Sequence, residues 1–413
     1  MPQTSYSSRA RRGSSRSGSS FGGQGGRSFG GGGNRRRSSK KRQPAYIHPS
    51  RFVQSAKPRE EVKYDPTHVF ADFPVNALIH DNLAKKGFTH PTAIQDQAIP
   101  HAIEGKDVVG IANTGTGKTI AFGIPVLNKL MEDREARAII MAPTRELAQQ
   151  IEDELRMVGK GSGVYGAVLI GGTPMGPQLR DLRANPQIVI GTPGRIKDHI
   201  ERGSLDPSLF NIVVLDEVDR MLDMGFIDDM RTILQSLAEE RQSLFFSATM
   251  EPKVAALIET FSAETVTISV KTGETSDNVE QDILPYSNMY EKMDQLHSLL
   301  IREDVDKVII FDETQRSVER LAEDLLERGF KVDAIHGGKS QGQRQRALRK
   351  FKENHINIMV ATDVAARGID IADITHVVNY GQPQTYEDYV HRIGRAGRAG
   401  RIGYAYTFVQ GRL

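Results

Sequence analysis

The chain has 413 residues, 38% of them hydrophobic and 26% charged, which is typical of a soluble protein with two or three domains. It contains no cysteine, which excludes a disulfide framework, a thiolate metal site and a cysteine nucleophile, and favours a cytoplasmic protein. No apolar run reaches the roughly 20 residues that a membrane span needs, so we expect no membrane association.

Charge is distributed unevenly along the chain. Residues 1–43 contain nine Arg, two Lys and no acidic residue, so they carry +11; subtracting this from the net charge of +2 leaves −9 for the rest. The segment is almost entirely Gly, Ser and Arg, and we expect it to be disordered. Such tails are typical of RNA binding, in which guanidinium groups contact phosphates and Phe21 or Phe29 stacks on bases. A solubilising leader without a specific partner is the alternative.

A connecting segment at 44–64 leads into a predicted first domain, residues 65–270. Here the apolar runs "DVVGIA", "RAIIMAP", "AVLIGG", "QIVIGTP", "IVVLDE" and "SLFFSAT" alternate with helical stretches. After Pro143, for example, Leu147, Ile151 and Leu155 fall on one face of a helix. This alternation predicts a parallel sheet covered by helices on both sides.

A polar, turn-rich stretch at 271–281 predicts a linker, and a second alternating set follows at 282–413. Its apolar runs are "KVIIFDET", "KVDAIHGG", "NIMVATD", "HVVNYGQP" and "YAYTFV". In both sets the runs end in Gly, Thr, Arg or Asp. Parallel α/β sheets bind ligands beyond the carboxyl ends of their strands, so the sequence predicts two α/β domains with functional residues along those edges.

The segment "ANTGTGKT", residues 112–119, follows the first apolar run and precedes a helix. Gly115 and Gly117 allow backbone N–H groups to surround phosphate oxygens, with Lys118 as a point charge and the Thr119 hydroxyl on Mg²⁺. Ala112 stands where the usual pattern has a first glycine. The segment therefore predicts a nucleotide phosphate loop, and a structural glycine turn is the alternative.

The segment "NIVVLDEVDRMLDMGF", residues 211–226, ends an apolar strand in Asp216, Glu217 and Asp219. Clustered carboxylates cost free energy unless a cation lies among them, and a solvated acidic turn is the simpler interpretation. Beside a phosphate loop, however, Mg²⁺ can bridge the phosphates and Asp216, usually through water. Glu217 can then orient or deprotonate the attacking water, and Asp219 can hold the hydroxyls of Ser247 and Thr249.

These motifs, in this order, resemble those of the DEAD-box ATP-dependent RNA helicases over residues 65–413. The resemblance implies two tandem RecA-like domains, each a parallel sheet flanked by helices, with ATP and Mg²⁺ as cofactors. "GFTHPTAIQ" resembles the family's Q motif, which implies that Phe70 stacks on adenine and that Gln95 reads its edge. Val218 in the acidic motif and Ala396 in "HRIGRAGR", residues 391–398, depart from the family pattern without removing a chemical group.

The resemblance also implies the roles of individual residues. Arg395 and Arg398 would stabilise charge on the γ-phosphate when the domains close, and His391 would brace the acidic turn. The implied catalytic residues are Lys118, Asp216, Glu217, His391, Arg395 and Arg398. The implied ATP-binding residues are Phe70, Gln95, Thr114, Gly115, Thr116, Gly117, Lys118, Thr119 and Asp370, with Thr119 and Asp216 on the metal. The residues coupling ATP to RNA would be Asp219, Ser247, Thr249 and Arg367. The RNA-binding residues would be Pro143, Thr144, Arg145, Gly171, Gly172, Thr192, Gly194, Arg195, Gln341, Arg344, Thr362 and Asp363.

The function implied by the resemblance is RNA-stimulated ATP hydrolysis coupled to domain closure and to local separation of short RNA duplexes or remodelling of ribonucleoproteins. We expect a monomer that contacts the RNA backbone regardless of sequence, with the tail adding affinity. Two alternatives have similar motifs: an ATP-dependent RNA clamp that does not unwind, and a DNA helicase or translocase of the same superfamily. The adenine-reading "GFTHPTAIQ" and the Arg-Gly tail favour RNA over DNA.

Overall fold

The computed structural model describes residues 47–57, 64–113, 115–270, 275–366, 371, 373–397 and 401–411. The tail at 1–43, predicted to be disordered, lies outside the described residues. Within the described ranges, no helix is long and apolar enough to cross a membrane. These ranges form two lobes, each built around one parallel sheet with helices packed against it, which confirms the predicted fold class.

The first lobe contains a seven-stranded sheet. Its strands are β1 (Asp107–Ile111), β2 (Ala138–Met141), β3 (Gly166–Leu169), β4 (Ile188–Gly191), β5 (Ile212–Leu215), β6 (Gln242–Ser247) and β7 (Thr265–Ser269). They lie in the order β3-β4-β2-β5-β6-β1-β7 with parallel pairing. The first six match the predicted apolar runs. The sequence analysis missed β7, because this edge strand is only partly buried and its apolar pattern is correspondingly weak.

Helices cover both faces of this sheet, because neighbouring strand residues such as Val108 and Val109 join two separate apolar clusters. The helices are α1 (Ala77–Lys85), α2 (Ala93–Ile103), α3 (Lys118–Glu132), α4 (Arg145–Val158), α5 (Met175–Arg183), α6 (Pro193–Glu201), α7 (Val218–Asp223), α8 (Ile227–Ser236) and α9 (Pro252–Phe261). The predicted apolar face of α4 is buried, and the Thr144 hydroxyl caps this helix by accepting a hydrogen bond from the Leu147 N–H at 3.2 Å.

The second lobe contains a six-stranded parallel sheet in the order β10-β11-β9-β12-β13-β8. Its strands are β8 (Val279–Tyr286), β9 (Val308–Phe311), β10 (Val332–Ile335), β11 (Ile358–Ala361), β12 (His376–Asn379) and β13 (Gly403–Gln410). Its helices are α10 (Met289–Leu300), α11 (Gln315–Glu327), α12 (Gln341–Lys352), α13 (Asp363–Ala366) and α14 (Tyr386–Ile393). Apolar clusters again lie on both faces of the sheet.

Two segments differ from the sequence interpretation. Residues 279–281, assigned to the linker at 271–281, are the first residues of β8 and pair with β13. Residues 47–57, assigned to the connecting segment at 44–64, dock on the second lobe, where Phe52 is buried in its apolar core. Both segments are short and mostly polar, so neither carries the apolar periodicity from which the other elements were predicted.

Candidate functional site

The loop between β1 and α3 has the backbone of a phosphate-binding turn. Gly115 and Gly117 have φ angles of 84° and 90°, a left-handed conformation that glycine adopts without steric cost. Lys118 is the first residue of α3; it is buried, and its Nζ donates a hydrogen bond to the Ala112 carbonyl at 3.1 Å. The loop therefore presents an ammonium group and a helix N-terminus at the carboxyl end of β1, where an anion is stabilised.

Gln95 holds this loop from the side. Its Nε2 donates to the Gly117 carbonyl at 3.0 Å, and its Oε1 accepts from the Thr92 N–H at 2.9 Å. A Cβ added to Gly117 would lie 2.2 Å from Gln95 Nε2, so this contact itself requires glycine. The structure thus gives Gln95 a role in fixing the phosphate loop, and its contact with adenine stays a prediction.

Phe70 lies in the core of the first lobe with 4% of its surface exposed. Its ring packs edge-on against Phe73 and Phe88, with centroids 6.0 Å and 6.3 Å away. Phe88, by contrast, is 38% exposed. Adenine stacking by Phe70 stays a prediction, and the structure shows the partly exposed Phe88 ring beside it.

The acidic turn follows β5 at the same edge of the sheet, and its carboxylates are buried. Asp216 is 2% exposed and Glu217 is 3% exposed. Burial raises the pKa of Asp216 to about 6, although the nearby Lys118 ammonium opposes this rise. Glu217 has a φ of 54°, which is uncommon outside glycine, so the backbone is strained just before α7.

The pKa of Glu217 is shifted in the opposite direction from that of Asp216. Burial alone would raise the pKa of Glu217, but the charges of Arg220, Lys118 and Arg395 together lower it. Arg220 Nη1 lies 2.8 Å from Glu217 Oε2, and both side chains are buried. Arg395 comes from the second lobe, so a charge of that lobe acts on Glu217 at this turn.

The residues at this turn fit a hard divalent cation. Asp216 is a buried carboxylate whose charge is unfavourable without a cation, and oxygen ligands are those that Mg²⁺ prefers. The half-buried Thr119 is the second residue of α3, next to Lys118. Asp216 is therefore suited to a divalent cation, and its binding of Mg²⁺ together with Thr119 stays a prediction.

Asp219 connects the acidic turn to the end of β6. Its Oδ2 accepts hydrogen bonds from the Ala248 N–H at 3.0 Å, the Thr249 N–H at 2.9 Å and the Thr249 hydroxyl at 3.2 Å. The Asp219 N–H donates to the Ser247 hydroxyl at 3.4 Å. Of the four residues predicted to couple ATP to RNA, Ser247 and Thr249 thus both contact Asp219, and the fourth, Arg367, lies outside the described residues.

In the second lobe, α14 carries His391 and Arg392, the first two basic residues of "HRIGRAGR". Arg392 is buried and pairs with both carboxylate oxygens of Asp363, at 2.5 Å and 2.7 Å, and donates to the Gly381 carbonyl at 2.7 Å. Arg395, 3% exposed, follows the end of α14, and His391 beside it is half-buried. Asp363, predicted to bind RNA, is therefore engaged in holding α14. Four predicted site residues lie outside the described residues: Thr114, Arg367, Asp370 and Arg398.

Arg145 and Arg195, both predicted to bind RNA, form a basic surface of the first lobe, and Arg344 of the second lobe lies near them. Burial lowers the pKa of Arg145, and the like charges of Arg344 and Arg195 act in the same direction, whereas the carboxylate of Glu146 opposes them. Gly172 has a φ of 73°, and a Cβ there would lie 2.0 Å from Arg145 Nη1. Further predicted residues lie just beyond strand ends: Pro143 and Thr144 after β2, Gly171 after β3 and Thr192 after β4 in the first lobe, and Thr362 after β11 in the second. Gly194 lies in the first turn of α6.

Gln341 and Arg344 on α12, predicted to bind RNA, contact the first lobe in this structure. Arg344 Nη2 lies 2.8 Å from Glu146 Oε2, and Gln341 Nε2 donates to Glu146 Oε1 at 3.3 Å. All three side chains are buried. These contacts join α4 of the first lobe to α12 of the second, so at this interface the two residues hold the lobes together.

Two family models match the chain, the DEAD/DEAH box helicase model over residues 92–258 and the helicase conserved C-terminal domain model over residues 291–400. The chain is 45% identical over 348 residues to the DEAD-box ATP-dependent RNA helicase CshA of Bacillus subtilis, covering 84% of this chain and 70% of that protein. It is 44% identical to CshA of Bacillus licheniformis, covering 84% and 71%. The chain belongs to the DEAD-box ATP-dependent RNA helicases.

Solved structures of this helicase family share the fold. Mss116p, bound to single-stranded RNA and AMP-PNP, is 28% identical with a TM-score of 0.75, covering 84% of this chain and 76% of that one. Dbp5 of S. cerevisiae, bound to RNA and ADP BeF3, is 28% identical with a TM-score of 0.72, covering 83% and 90%. The helicase described here is thus similar in fold to proteins whose structures contain RNA together with AMP-PNP or ADP BeF3.

Three residues of the helicase site were not singled out from the sequence. Glu146 and Arg220 each form a buried ion pair, and the buried Arg392 pairs with the partly exposed Asp363. All three lie inside or next to motifs already recognised, in "PTREL", "DEVDR" and "HRIGR". A charged residue next to a catalytic one is usually solvated, and nothing in the sequence shows that these three are buried and paired.

Proposed function

We propose that this protein hydrolyses ATP at the phosphate loop and couples hydrolysis to RNA binding across both lobes and to local separation of short RNA duplexes. The observation that carries the proposal is that the charge of Arg395, from the second lobe, helps to lower the pKa of Glu217 in the first. A residue that must come from another lobe makes turnover depend on the relative position of the lobes. Anything that stabilises their contact, such as RNA lying across both, then accelerates hydrolysis.

In the proposed reaction, Lys118, Glu217 and Arg395 each have one task. Lys118 compensates phosphate charge, and Glu217 orients the attacking water and accepts its proton at a carboxylate oxygen. Arg395 stabilises negative charge that develops on the transferred phosphoryl group. When bound, Mg²⁺ would be held by Asp216 and Thr119 and would supply further neutralisation of phosphate charge.

RNA is proposed to contact the basic surface of the first lobe and the strand ends of the second. Arg145 and Arg195 contribute positive charge, and the backbone at Gly172 and Thr362 contributes hydrogen-bonding groups. Such contacts to phosphates do not depend on base sequence. Ribonucleoproteins containing exposed RNA are therefore suitable substrates, and we propose that the protein acts on them in the cytoplasm as a monomer.

The test is phosphate release from ATP with and without single-stranded RNA, with single-stranded DNA as a second comparison. We expect strong stimulation by RNA, weak stimulation by DNA, and loss of turnover by roughly 100-fold or more in Glu217→Gln, since a general base is removed. ATP binding should survive in that variant. Equal turnover with and without RNA would contradict coupling of the lobes, and a strand-displacement assay then separates unwinding from clamping.

The tail at 1–43 is proposed to add RNA affinity through phosphate contacts. Its +11 charge predicts a steeper fall of affinity with salt than the lobes alone would give. Deleting 1–43 should therefore weaken RNA binding at low salt and flatten the plot of log K against log salt, while hydrolysis at saturating RNA is preserved. An unchanged slope would identify the tail as a leader without a role in RNA binding.

A further inference from the structure

Residues 47–57, here called the N-terminal strap, precede the first lobe in sequence but dock on the second. Gln54 pairs with Gln281 through two backbone hydrogen bonds of 3.0 Å and 2.8 Å. The Ala56 N–H donates to Glu280 Oε2 at 2.6 Å. The strap thus runs antiparallel along the beginning of β8, the edge strand of the second sheet, and both family models begin after it.

The side chains of the strap reach α14. The Phe52 ring is 2% exposed, and its centroid lies 4.7 Å from that of Tyr389. The Arg51 guanidinium lies over the Tyr386 ring, 3.7 Å from its centroid. The Tyr389 hydroxyl donates to Gln281 Oε1 at 2.9 Å, so the same residue of β8 contacts both the strap and α14. The strap therefore packs α14 against the edge of the sheet.

The helix held in this way is the one that presents Arg395 to the first lobe. On another side, Arg392 fixes α14 to α13 through Asp363. The segment just after Arg395 is also closely packed against the start of β8, because a Cβ on Gly397 would lie 2.9 Å from the Asn278 carbonyl. The strap and the Arg392 ion pair are thus two separate supports of α14 and of the arginine that follows it.

We propose that Phe52 is a positioning residue for Arg395, and that the docked strap is required for full ATP turnover. The inference rests on the proposed function, since it assigns Arg395 a role in hydrolysis. When the strap is undocked, α14 loses the support of Phe52 and Arg51, and Arg395 is no longer held close to Glu217. The phosphate loop and its contacts belong to the first lobe, so ATP binding there is unaffected.

The experiment compares Phe52→Ala with Val53→Ala in the full-length protein. Val53 is the next strap residue and is 50% exposed, so its truncation is a matched control that leaves the packing intact. We expect Phe52→Ala to lower kcat at saturating RNA by about tenfold or more, because small displacements of a catalytic group are costly. KM for ATP should stay within about twofold, and Val53→Ala should behave as the wild type. Equal kcat for the two variants overturns the proposal.

A second comparison separates positioning from a general loss of stability. In an Arg395→Ala background, Phe52→Ala should lower kcat no further, because Phe52 acts through Arg395. A further loss of kcat in the double variant would overturn the positioning role. If Phe52→Ala does not fold, Phe52→Leu takes its place in both comparisons, since it retains an apolar side chain but loses the ring contact with Tyr389.

Failure of this inference is distinguishable from failure of the proposed function. Wild-type protein whose hydrolysis is not stimulated by RNA contradicts the proposed function itself. Stimulated wild type together with unchanged turnover in Phe52→Ala contradicts only the role of the strap. Full stimulation in the wild type and its loss in Phe52→Ala, with KM for ATP preserved, supports both.

Discussion

The two lobes share one strand order but differ at the position where the first lobe is predicted to bind phosphate. The order β3-β4-β2-β5-β6-β1 in the first corresponds to β10-β11-β9-β12-β13-β8 in the second, so β1 and β8 occupy equivalent places. Each is followed by a loop and by a helix with a buried lysine in its first turn, Lys118 in α3 and Lys292 in α10. The surroundings of the two lysines are different.

Lys118 lies among polar groups, whereas Lys292 lies among aromatic rings. Lys292 Nζ is 3.9 Å from the centroid of Tyr380 and 4.6 Å from that of Tyr286. Burial lowers its pKa, although the carboxylates of Asp312 and Glu313 oppose this. Ring faces stabilise a desolvated ammonium group, but they also occupy the space that phosphate oxygens would need.

The residue that follows β5 also differs from the residue that follows β12, the equivalent strand of the second sheet. β5 is followed by Asp216 and β12 by Tyr380, whose pKa burial raises to about 12. The loop before α10 also lacks glycine, and Asn288 caps the helix instead by accepting a hydrogen bond from the Glu291 N–H at 3.0 Å. We therefore predict that a lysine at the start of a helix is not sufficient for a phosphate site, and that glycine backbone and an adjacent carboxylate are needed as well.

The strongest test of this comparison replaces each lysine in turn. Lys118→Ala should reduce ATP hydrolysis by at least about 100-fold and weaken ATP binding, because phosphate charge is left uncompensated in a buried site. Lys292→Met keeps much of the apolar stem and removes the charge, so turnover should stay within about twofold of the wild type. Phosphate release and binding of a labelled ATP analogue measure both effects.

Circular dichroism melting of the two lysine variants provides the control for folding. Retained turnover in Lys118→Ala would contradict the assignment of the phosphate loop. Loss of ATP binding in a folded Lys292→Met would show that the second lobe also takes part in binding the nucleotide, which would remove the contrast between the lobes.

Much of the fold could be predicted because it depends on local patterns. Parallel strands covered on both faces appear in the sequence as short apolar runs. Of the thirteen strands in the described ranges, eleven match such runs, the exceptions being β7 and β8. Both exceptions lie at sheet edges, where one side is open or covered only by the strap and polar residues are tolerated. Docking of Phe52 on a lobe that begins more than 200 residues later has no local signal.

The site could be predicted only in part, because residue type identifies chemistry but not contacts. The phosphate loop and acidic turn carry recognisable side chains, and the structure brings Lys118, Asp216 and Glu217 together. The partners of Arg344 and Arg392 depend on which lobes and helices meet, and that is set by tertiary packing. Motif resemblance assigned Arg344 to RNA, whereas its nearest partner here is a carboxylate of the other lobe.

The contact between the lobes can be weakened through Arg344. Removing one partner of a buried ion pair costs about 3–5 kcal/mol, because the remaining charge is buried without compensation. Arg344→Ala should therefore weaken RNA binding in the presence of a non-hydrolysable ATP analogue by about tenfold or more. Fluorescence anisotropy of labelled RNA measures this affinity.

Arg156→Ala is the matched control for the Arg344 variant, because Arg156 also pairs with a glutamate of α4, Glu152, but within the first lobe. The control should leave RNA affinity unchanged. Equal losses of RNA affinity in both variants would mean that α4 itself is disturbed, and the pair between the lobes would have no special role in closure.

The smallest expected effect concerns acid stability of the second lobe. His376 is fully buried, and burial lowers its pKa from 6.5 to about 4, with Arg302 acting in the same direction and Asp304 opposing it. Its ring is stacked on Tyr404 at 4.9 Å. Because the unfolded chain binds this proton more readily, stability is constant above pH 6.5 and is lost as the pH falls towards 4. At pH 5 the loss is about 2 kcal/mol relative to pH 7.

Urea unfolding at pH 7 and at pH 5 tests this role by comparing His376→Phe with the wild type. The quantity compared is the change in the free energy of unfolding between the two pH values, not the stability at either pH. Phenylalanine keeps a stacking ring but cannot bind the proton, so the loss on acidification should shrink by about 2 kcal/mol. The exposed His355, replaced by Gln, is the control and should leave the pH dependence unchanged. An unaltered pH dependence in His376→Phe would show that the buried ring does not set the acid sensitivity of this lobe. The buried His199 of the first lobe, whose pKa burial also lowers, would then be the next residue to replace.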